Sequence, residues 1–384
     1  MSSADDLTAE SSADASDEVS TTVEGTPLVD LPKVALHDHL DGGLRPATII
    51  ELARERGIDV PVDDADGLGS WFRAQSDSGS LVEYLKTFDL TIAVMQTEEG
   101  LRRVAREFVE DLAADGVLYG ELRWAPEQHL SLGLSADAAV EAVQAGIDEA
   151  VAAVEARGGW IRAGQLVSAM RHLDNGVAMA ELALRHRDSG VHGFDIAGPE
   201  DGFPPSRMKP AFDLLLGEGM PITVHAGEAA GIDSIRSALV DGHALRLGHG
   251  VRIREDIEVV SDDGEAMGVR LGRLAQWVRD RRVPLEVSPS SNLQTGAFAA
   301  WGSEFGEHPI DTLYQLGFAV TVNTDNRLMS GTSITRELGL LVDAFGYDLD
   351  DLLTFQLNAA EGAFLPLEER IELQARIEDG FGLD

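Results

Sequence analysis

The stretch Leu36-His37-Asp38-His39-Leu40-Asp41-Gly42 closes an apolar run that begins at Val34. Side chains two residues apart in a strand point to the same face, so His37 and His39 can offer two imidazoles to one point in space. A metal ion requires such convergence. Three further apolar, strand-like runs also end in polar motifs, at residues 224–228, 248–250 and 323–326.

Eight short apolar runs predict strands, and helical segments separate them. The predicted strands cover residues 32–36, 117–124, 161–167, 191–197, 222–225, 246–249, 285–287 and 318–323. Neighbouring parallel strands must be connected by crossover segments, which are usually helices. Eight strand–helix units are the number that closes a barrel, so the predicted fold is α/β, of the (β/α)8 TIM-barrel type. An open doubly wound sheet is the alternative. The motifs favour the barrel, because it gathers the C-terminal ends of its strands on one face.

The remainder of the chain predicts one domain with an acidic tail. Residues 1–29 are rich in Ser, Thr, Asp and Glu and contain no Lys or Arg, which predicts a disordered segment. Residues 30–384 would form a single (β/α)8 domain. A helical insertion follows the first strand, with helices predicted over residues 46–56, 81–95 and 101–114, and extra helices follow the last strand.

Composition narrows the classes of ligand and partner. The chain has 384 residues, a formal net charge of -37 and no cysteine. Such an acidic chain repels nucleic acids and anionic membranes, so neither is expected as a partner. Because the chain has no cysteine, a metal site must use nitrogen and oxygen ligands, a donor set that suits zinc. No apolar run reaches the ~18 residues of a membrane span, and the N-terminal stretch lacks signal-peptide features, which predicts a cytoplasmic location.

Four side chains from the motifs are candidate ligands of one zinc ion per chain: His37, His39, His225 and Asp325. Three imidazoles and a carboxylate suit zinc, which can expand to five-coordinate and so keep a place for water. Zinc lowers the pKa of such a water to ~7. Glu228 could donate a proton to a substrate, and His249 could take the proton of the water.

In combination and order, these motifs resemble those of the adenosine deaminases, of the actinobacterial type, within the zinc-dependent amidohydrolase superfamily. The resemblance runs from about Leu31 to the C-terminus and includes residues 194–198 and 288–292. It implies the hydrolytic deamination of adenosine and 2'-deoxyadenosine to the inosines and ammonia, in purine salvage, with a small purine nucleoside as the partner.

The resemblance also implies a role for each site residue, with zinc held by the four ligands named above. Glu228 would protonate purine N1, and His249 would orient and deprotonate the water. The backbone N–H of Gly198 would hold N3, and Asp41 would accept from a ribose hydroxyl. Asn326 stands where the family has a second aspartate, which bonds N7. An amide can donate to the N7 acceptor directly.

Two alternatives remain open. One keeps the chemistry and changes the substrate to another 6-aminopurine, either adenine or 6-amino-6-deoxyfutalosine. Adenine deaminases tend to carry Glu where Asp41 stands, so Asp41 favours a nucleoside. The other is a metal-bearing paralogue that binds nucleosides without turnover. Glu228 and His249 argue against it, because a binder needs no proton donor beside the metal.

Overall fold

Eight parallel strands form the framework of the protein, in a computed structural model that describes residues 19–262 and 267–382. In chain order, β1 to β8 are Lys33–His39, Val117–Trp124, Arg162–Met170, Val191–Ala197, Thr223–Ala226, Arg246–His249, Leu285–Val287 and Val320–Val322. Each of the last four strands is fully buried, as expected for parallel strands covered on both faces. Every predicted strand is confirmed, with ends shifted by a few residues.

The strands pair as two four-stranded sheets, β1-β2-β3-β4 and β5-β6-β7-β8. Isolated parallel bridges join the two sheets at both seams, Phe194 to Ile222 and Asp38 to Asp325. The order of strands around the ring is therefore that of a (β/α)8 barrel, with single bridges in place of full ladders at the seams. The predicted barrel is confirmed, and the open sheet is excluded because β1 returns to the residues that follow β8.

The helical insertion after β1 is also confirmed. Its helices are Pro46–Arg56, Ala65–Ser76, Leu81–Leu85, Phe88–Val94 and Glu98–Ala114. The single helix predicted over residues 81–95 is wrong, since two short helices occupy that range. The break falls where the Thr87 N–H and hydroxyl both bond the carbonyl of Tyr84, a tight turn that ends the first helix.

Further helices connect the later strands, and others follow the last strand. Outside the barrel strands, these are Ala136–Ala156, Gly176–His186, Lys209–Gly217, Ile232–Val240, Arg273–Asp280, Pro289–Gln294, Ile310–Gln315, Arg327–Ser330, Ile334–Phe345, Leu349–Gly362 and Leu367–Gly380. An antiparallel pair, Ile257–Asp262 with Met267–Leu271, follows β6 and was not predicted. Within the described ranges, no helix has both the length and the apolar character needed to cross a membrane.

The boundary of the predicted acidic tail needs correction. Residues 1–18 lie outside the described residues, so the prediction of disorder is untested there. Residues 19–29 are structured: Thr22–Val23 pairs with Thr26–Pro27, and Val23 and Leu28 are buried. Ser20 also binds the Asp343 carboxylate. Two buried apolar side chains and two long-range hydrogen bonds from Ser20 hold this segment to the rest of the domain. The polar average composition of the segment gives no sign of these contacts.

Candidate active site

The candidate ligands come from three strand ends on one face of the barrel. His37 and His39 end β1, His225 lies in β5, and Asp325 follows β8. Asp325 has a φ of 58°, in the left-handed region that costs a non-glycine residue about 1–2 kcal/mol. Its backbone is held there from both sides, because its N–H donates to the His37 carbonyl and its carbonyl accepts from the His39 N–H, at 2.9 and 2.7 Å.

The four candidate ligands converge on one point. Their ligating atoms all lie within 4.8 Å of one another. His37 Nε2 and His39 Nε2 are each 3.3 Å from Asp325 Oδ1, and His39 Nε2 is 3.2 Å from His225 Nε2. Ligands at ~2.0–2.1 Å from a tetrahedral ion are separated by about 3.3 Å, so the cluster has the size that zinc requires.

Buried carboxylates behind the cluster set which nitrogen faces the centre. His37 Nδ1 is 3.1 Å from Glu286 Oε2, and His225 Nδ1 is 2.8 Å from Asp195 Oδ2. An Nδ1–H that donates to a carboxylate leaves the lone pair on Nε2, the usual arrangement behind a metal-bound histidine. Those lone pairs then face the Asp325 carboxylate, and a cation between them would relieve the repulsion. The cluster is therefore compatible with a metal ion.

Arg123 ties the two supporting carboxylates together. Its Nη1 donates to Asp195 at 2.9 Å and its Nη2 to Glu286 at 2.7 Å, with all three side chains fully buried. Burial alone would raise the pKa of Glu286, but Arg123 and Arg246 outweigh it and hold that pKa well below its ordinary value. Both carboxylates therefore stay ionised behind the histidines.

Sequence reasoning assigned no role to Glu286, Arg123 or Asp195, although the last lies in a matching motif. A signal was present in the strands themselves. A strand covered on both faces should be apolar, yet β7 reads Leu285-Glu286-Val287 and β2 contains Arg123. Charged residues inside such strands need buried partners, and here those partners are one another and the ligand histidines.

The predicted proton-transfer residues lie beside the cluster. Glu228 Oε2 is 3.5 Å from His249 Nε2, and the Asn292 amide nitrogen is 3.0 Å from His249 Nδ1. Burial, with the nearby Asp325 and Glu200 carboxylates, raises the pKa of Glu228 well above its ordinary value. A protonated Glu228 is suited to donate, and the contact with Asn292 leaves His249 Nε2 facing the pocket.

One cavity of about 390 Å³ brings the predicted substrate residues together with the cluster. Its lining includes Asp41, Gly198 and Asn326 on the barrel side. Burial raises the pKa of Asp41 to about 7. The insertion covers the opposite side with mostly apolar residues, including Leu81, Tyr84, Leu85, Phe88 and Ile92. Such a cavity would hold a small molecule with a flat apolar face and a few polar groups.

Comparisons with known proteins agree with this geometry. The family model described as adenosine deaminase matches residues 32–380. Adenosine deaminase 1 of Streptomyces coelicolor is 56% identical over 343 residues, 89% of this chain and 85% of that protein. A Burkholderia ambifaria amidohydrolase solved with bound zinc is 25% identical with a TM-score of 0.78, over 92% of this chain and 91% of that one. An adenine deaminase from Arthrobacter aurescens is 25% identical with a TM-score of 0.77, over 91% and 98% of the two chains.

Proposed function

The chain belongs to the adenosine deaminase family, and we propose that it hydrolyses adenosine and 2'-deoxyadenosine to the inosines and ammonia. The observation that carries the proposal is one cavity lined by His39, His225 and Asp325 of the four-residue cluster and, beside them, by Glu228 and His249. Hydrolytic deamination needs an activated water, a proton donor for the ring and a group to move the proton of the water. This cavity offers residues for each task.

We propose zinc, one ion per chain, held by His37, His39, His225 and Asp325. The all-nitrogen-and-oxygen donor set and the 3.2–3.3 Å spacing of the ligating atoms support this ion. When bound, zinc would supply Lewis acidity and lower the pKa of a water at the site. Ser291 Oγ donates to Asp325 Oδ2 at 2.6 Å, which leaves Oδ1 directed at the histidines.

The side chains around the cavity have separate proposed roles. Glu228 donates its proton to N1 of the purine. His249 takes the proton of the water at Nε2, for which Asn292 must present its amide oxygen, rather than its amide nitrogen, to the Nδ1–H of His249. The N–H of Gly198 binds N3, in a turn whose φ of 95° requires glycine. Asp41 accepts from a ribose hydroxyl, and the Asn326 amide donates to N7. The base lies under the apolar side chains of the insertion.

The alternatives have weaker support. The adenine deaminase is a distant structural relative, whereas relatives that share more than half of their aligned residues with this chain are named adenosine deaminases. A 6-amino-6-deoxyfutalosine deaminase would share the residues that act on the ring. A binding protein without turnover has no use for Glu228 beside the cluster. A cytoplasmic location remains a prediction from the sequence.

The test is adenosine turnover by the purified protein before and after chelation, with the metal counted per chain. We expect loss of the adenine absorbance, one zinc per chain, no turnover after chelation, and recovery on adding zinc. A panel of adenosine, 2'-deoxyadenosine, adenine and 6-amino-6-deoxyfutalosine identifies the substrate. Full activity in metal-free protein, or turnover of adenine alone, would contradict the proposal.

A further inference from the structure

Several buried polar atoms in the cavity lack a hydrogen-bond partner among the described residues. Among the side chains that line it, these include Asp41 Oδ1, Tyr84 Oη, Glu228 Oε1 and Asn326 Oδ1. A buried polar atom without a partner is costly, so such atoms are expected to be paired when a ligand is present. Three of these residues already have proposed roles with the substrate, and Tyr84 does not.

Tyr84 comes from the insertion, in the short helix Leu81–Leu85 that covers the cavity. Its side chain is 1% exposed, and its ring packs against Phe88 with centroids 6.2 Å apart. Packing accounts for the ring but not for the hydroxyl, since a phenylalanine would pack equally well without an unpaired oxygen. Core packing therefore does not explain why this position has a tyrosine hydroxyl.

Asn326 is the neighbouring residue with which the Tyr84 hydroxyl can form a hydrogen bond. The side chains of Asn326 and Ser330 lie within hydrogen-bonding reach of the hydroxyl. Burial has the largest effect on the pKa of Tyr84 and raises it well above its ordinary value. The hydroxyl is thus a proton donor at any physiological pH. Ser330 Oγ already donates to Gln294 at 2.8 Å, whereas Asn326 Oδ1 has no donor. The Tyr84 hydroxyl and the Asn326 amide thus lie within reach of each other, and neither Tyr84 Oη nor Asn326 Oδ1 has a partner among the described residues.

The backbone of Gly42 limits where the Asn326 amide can go. A Cβ at position 42 would fall 2.0 Å from Asn326 Oδ1 and 2.8 Å from Asn326 Cβ. The amide therefore rests directly on the Gly42 backbone, which leaves rotation about its last bond as the main freedom. That rotation decides whether the amide presents its donor or its acceptor to the purine.

We propose that Tyr84 is a positioning residue for purine specificity, whose hydroxyl donates to Asn326 Oδ1 in the substrate complex and so turns the amide nitrogen toward N7. The inference rests on the proposed function, because it assumes that a purine occupies the cavity. It adds a residue from the insertion to the recognition of the base and gives the Tyr84–Asn326 pair a shared role.

The test compares the binding of inosine and 7-deazainosine, measured by calorimetry on the zinc-loaded protein. The two ligands differ in the N7 acceptor. Tyr84→Phe should weaken the binding of inosine about 3- to 10-fold, which corresponds to the loss of one hydrogen bond. The affinity for 7-deazainosine should stay nearly unchanged. Asn326→Ala should also remove the preference for inosine, and adding Tyr84→Phe to it should change inosine binding no further, because the tyrosine acts through the amide.

Two controls separate positioning from packing. Tyr314→Phe removes a hydroxyl that donates to Asp351 at 2.7 Å. Neither residue lines the cavity, so this substitution should not change the preference for inosine. Tyr84→Phe should not lower the melting temperature of the ligand-free protein, because the hydroxyl has no partner to lose. Equal weakening of both ligands, a lower melting temperature, or additive effects of the two substitutions would overturn the inference.

The outcome is distinguishable from failure of the proposed function. If the unmodified protein neither deaminates adenosine nor binds inosine, the proposed function is wrong. If it does both, and Tyr84→Phe retains the full preference for inosine over 7-deazainosine, only the role of Tyr84 is refuted.

Discussion

Glu228 has the two properties that a proton donor in this cavity needs. It is 5% exposed, and its Oε1 has no partner among the described residues, while Oε2 is 3.5 Å from His249 Nε2. Burial beside other carboxylates keeps it protonated, because each neighbouring negative charge disfavours its ionised form. It belongs to none of the four ligand positions, so its chemistry can be separated from metal binding.

Glu228→Ala is expected to abolish turnover while zinc content and nucleoside binding are retained. General acid catalysis contributes typically 10²–10⁴-fold, so kcat should fall by at least about 100-fold. Metal counted per chain, inosine affinity and steady-state kinetics check this. Glu181→Ala, an exposed carboxylate on the helix Gly176–His186, is the matched control and should be neutral. Unchanged turnover in Glu228→Ala would refute the assigned role.

Asn326→Asp is expected to keep deaminase activity within about two orders of magnitude. A hydrogen bond of this kind contributes ~0.5–3 kcal/mol, and a carboxyl must carry a proton to donate to N7, whereas the amide donates without that cost. The measurement is kcat/KM for adenosine across pH, with loss of activity at higher pH as the carboxyl ionises. Complete loss at every pH would contradict the assignment of Asn326 to N7.

The segment that follows β5 is held by a single carboxylate. Glu200 is buried and accepts four backbone N–H groups and one hydroxyl, from Gly227, Glu228, Ala229, Ala230 and Ser234 at 2.5–3.1 Å. A carboxylate suits this task, because both of its oxygens can accept hydrogen bonds and together they offer about four lone-pair sites. Since Glu228 lies inside this segment, Glu200 fixes the backbone from which the proton donor projects.

Glu200→Gln is expected to lower kcat and the free energy of unfolding together, without loss of zinc. The amide would direct its N–H₂ at backbone donors, and leaving buried donors unpaired costs about 1–3 kcal/mol. Denaturant unfolding and metal analysis measure the two effects. Ser234→Ala removes only one of the five donors and should cost less on both scales. Equal effects of the two substitutions would show that Glu200 acts no differently from an ordinary capping group.

The molecule as a whole carries a formal net charge of -37. Self-repulsion of this size destabilises the compact state, and dissolved salt screens it over a Debye length of ≈ 10 Å at 0.1 M and 3 Å at 1 M. Its lysines are few, only Lys33, Lys86 and Lys209. We hypothesise that the protein works in a cytoplasm rich in salt, where its carboxylates keep it in solution.

Stability is therefore expected to rise with salt. Between ~0.1 and ~2 M KCl the free energy of unfolding should increase by about 1 kcal/mol or more, which for a chain of this length corresponds to a melting temperature higher by about 1 °C or more. A variant with Gln at the exposed positions Glu368, Glu369 and Glu378 should show a weaker dependence. Equal stability and activity with and without salt would refute the hypothesis.

Local patterning along the chain predicts the barrel, the insertion and six candidate site residues, whereas Asp41, Gly198 and Asn326 are implied only by the family resemblance. Strands and helices each have a characteristic period, and polar motifs at the ends of apolar runs mark the face where parallel strands converge. The residues at positions 37, 39, 225 and 325 could be grouped because each directly follows or ends such a run. The structure brings all four within 4.8 Å of one another.

Other features required the folded chain. Arg123 and Glu286 lie 163 residues apart, and nothing near either of them indicates that they meet at 2.7 Å behind the ligands. Tyr84 reads as a core aromatic until its hydroxyl is seen without a partner beside Asn326. Residues 19–29 read as part of an acidic tail, yet Val23 and Leu28 are buried. The physical reason is common to all three: burial and pairing between distant segments depend on how the elements pack, whereas period and capping depend only on neighbours in the chain.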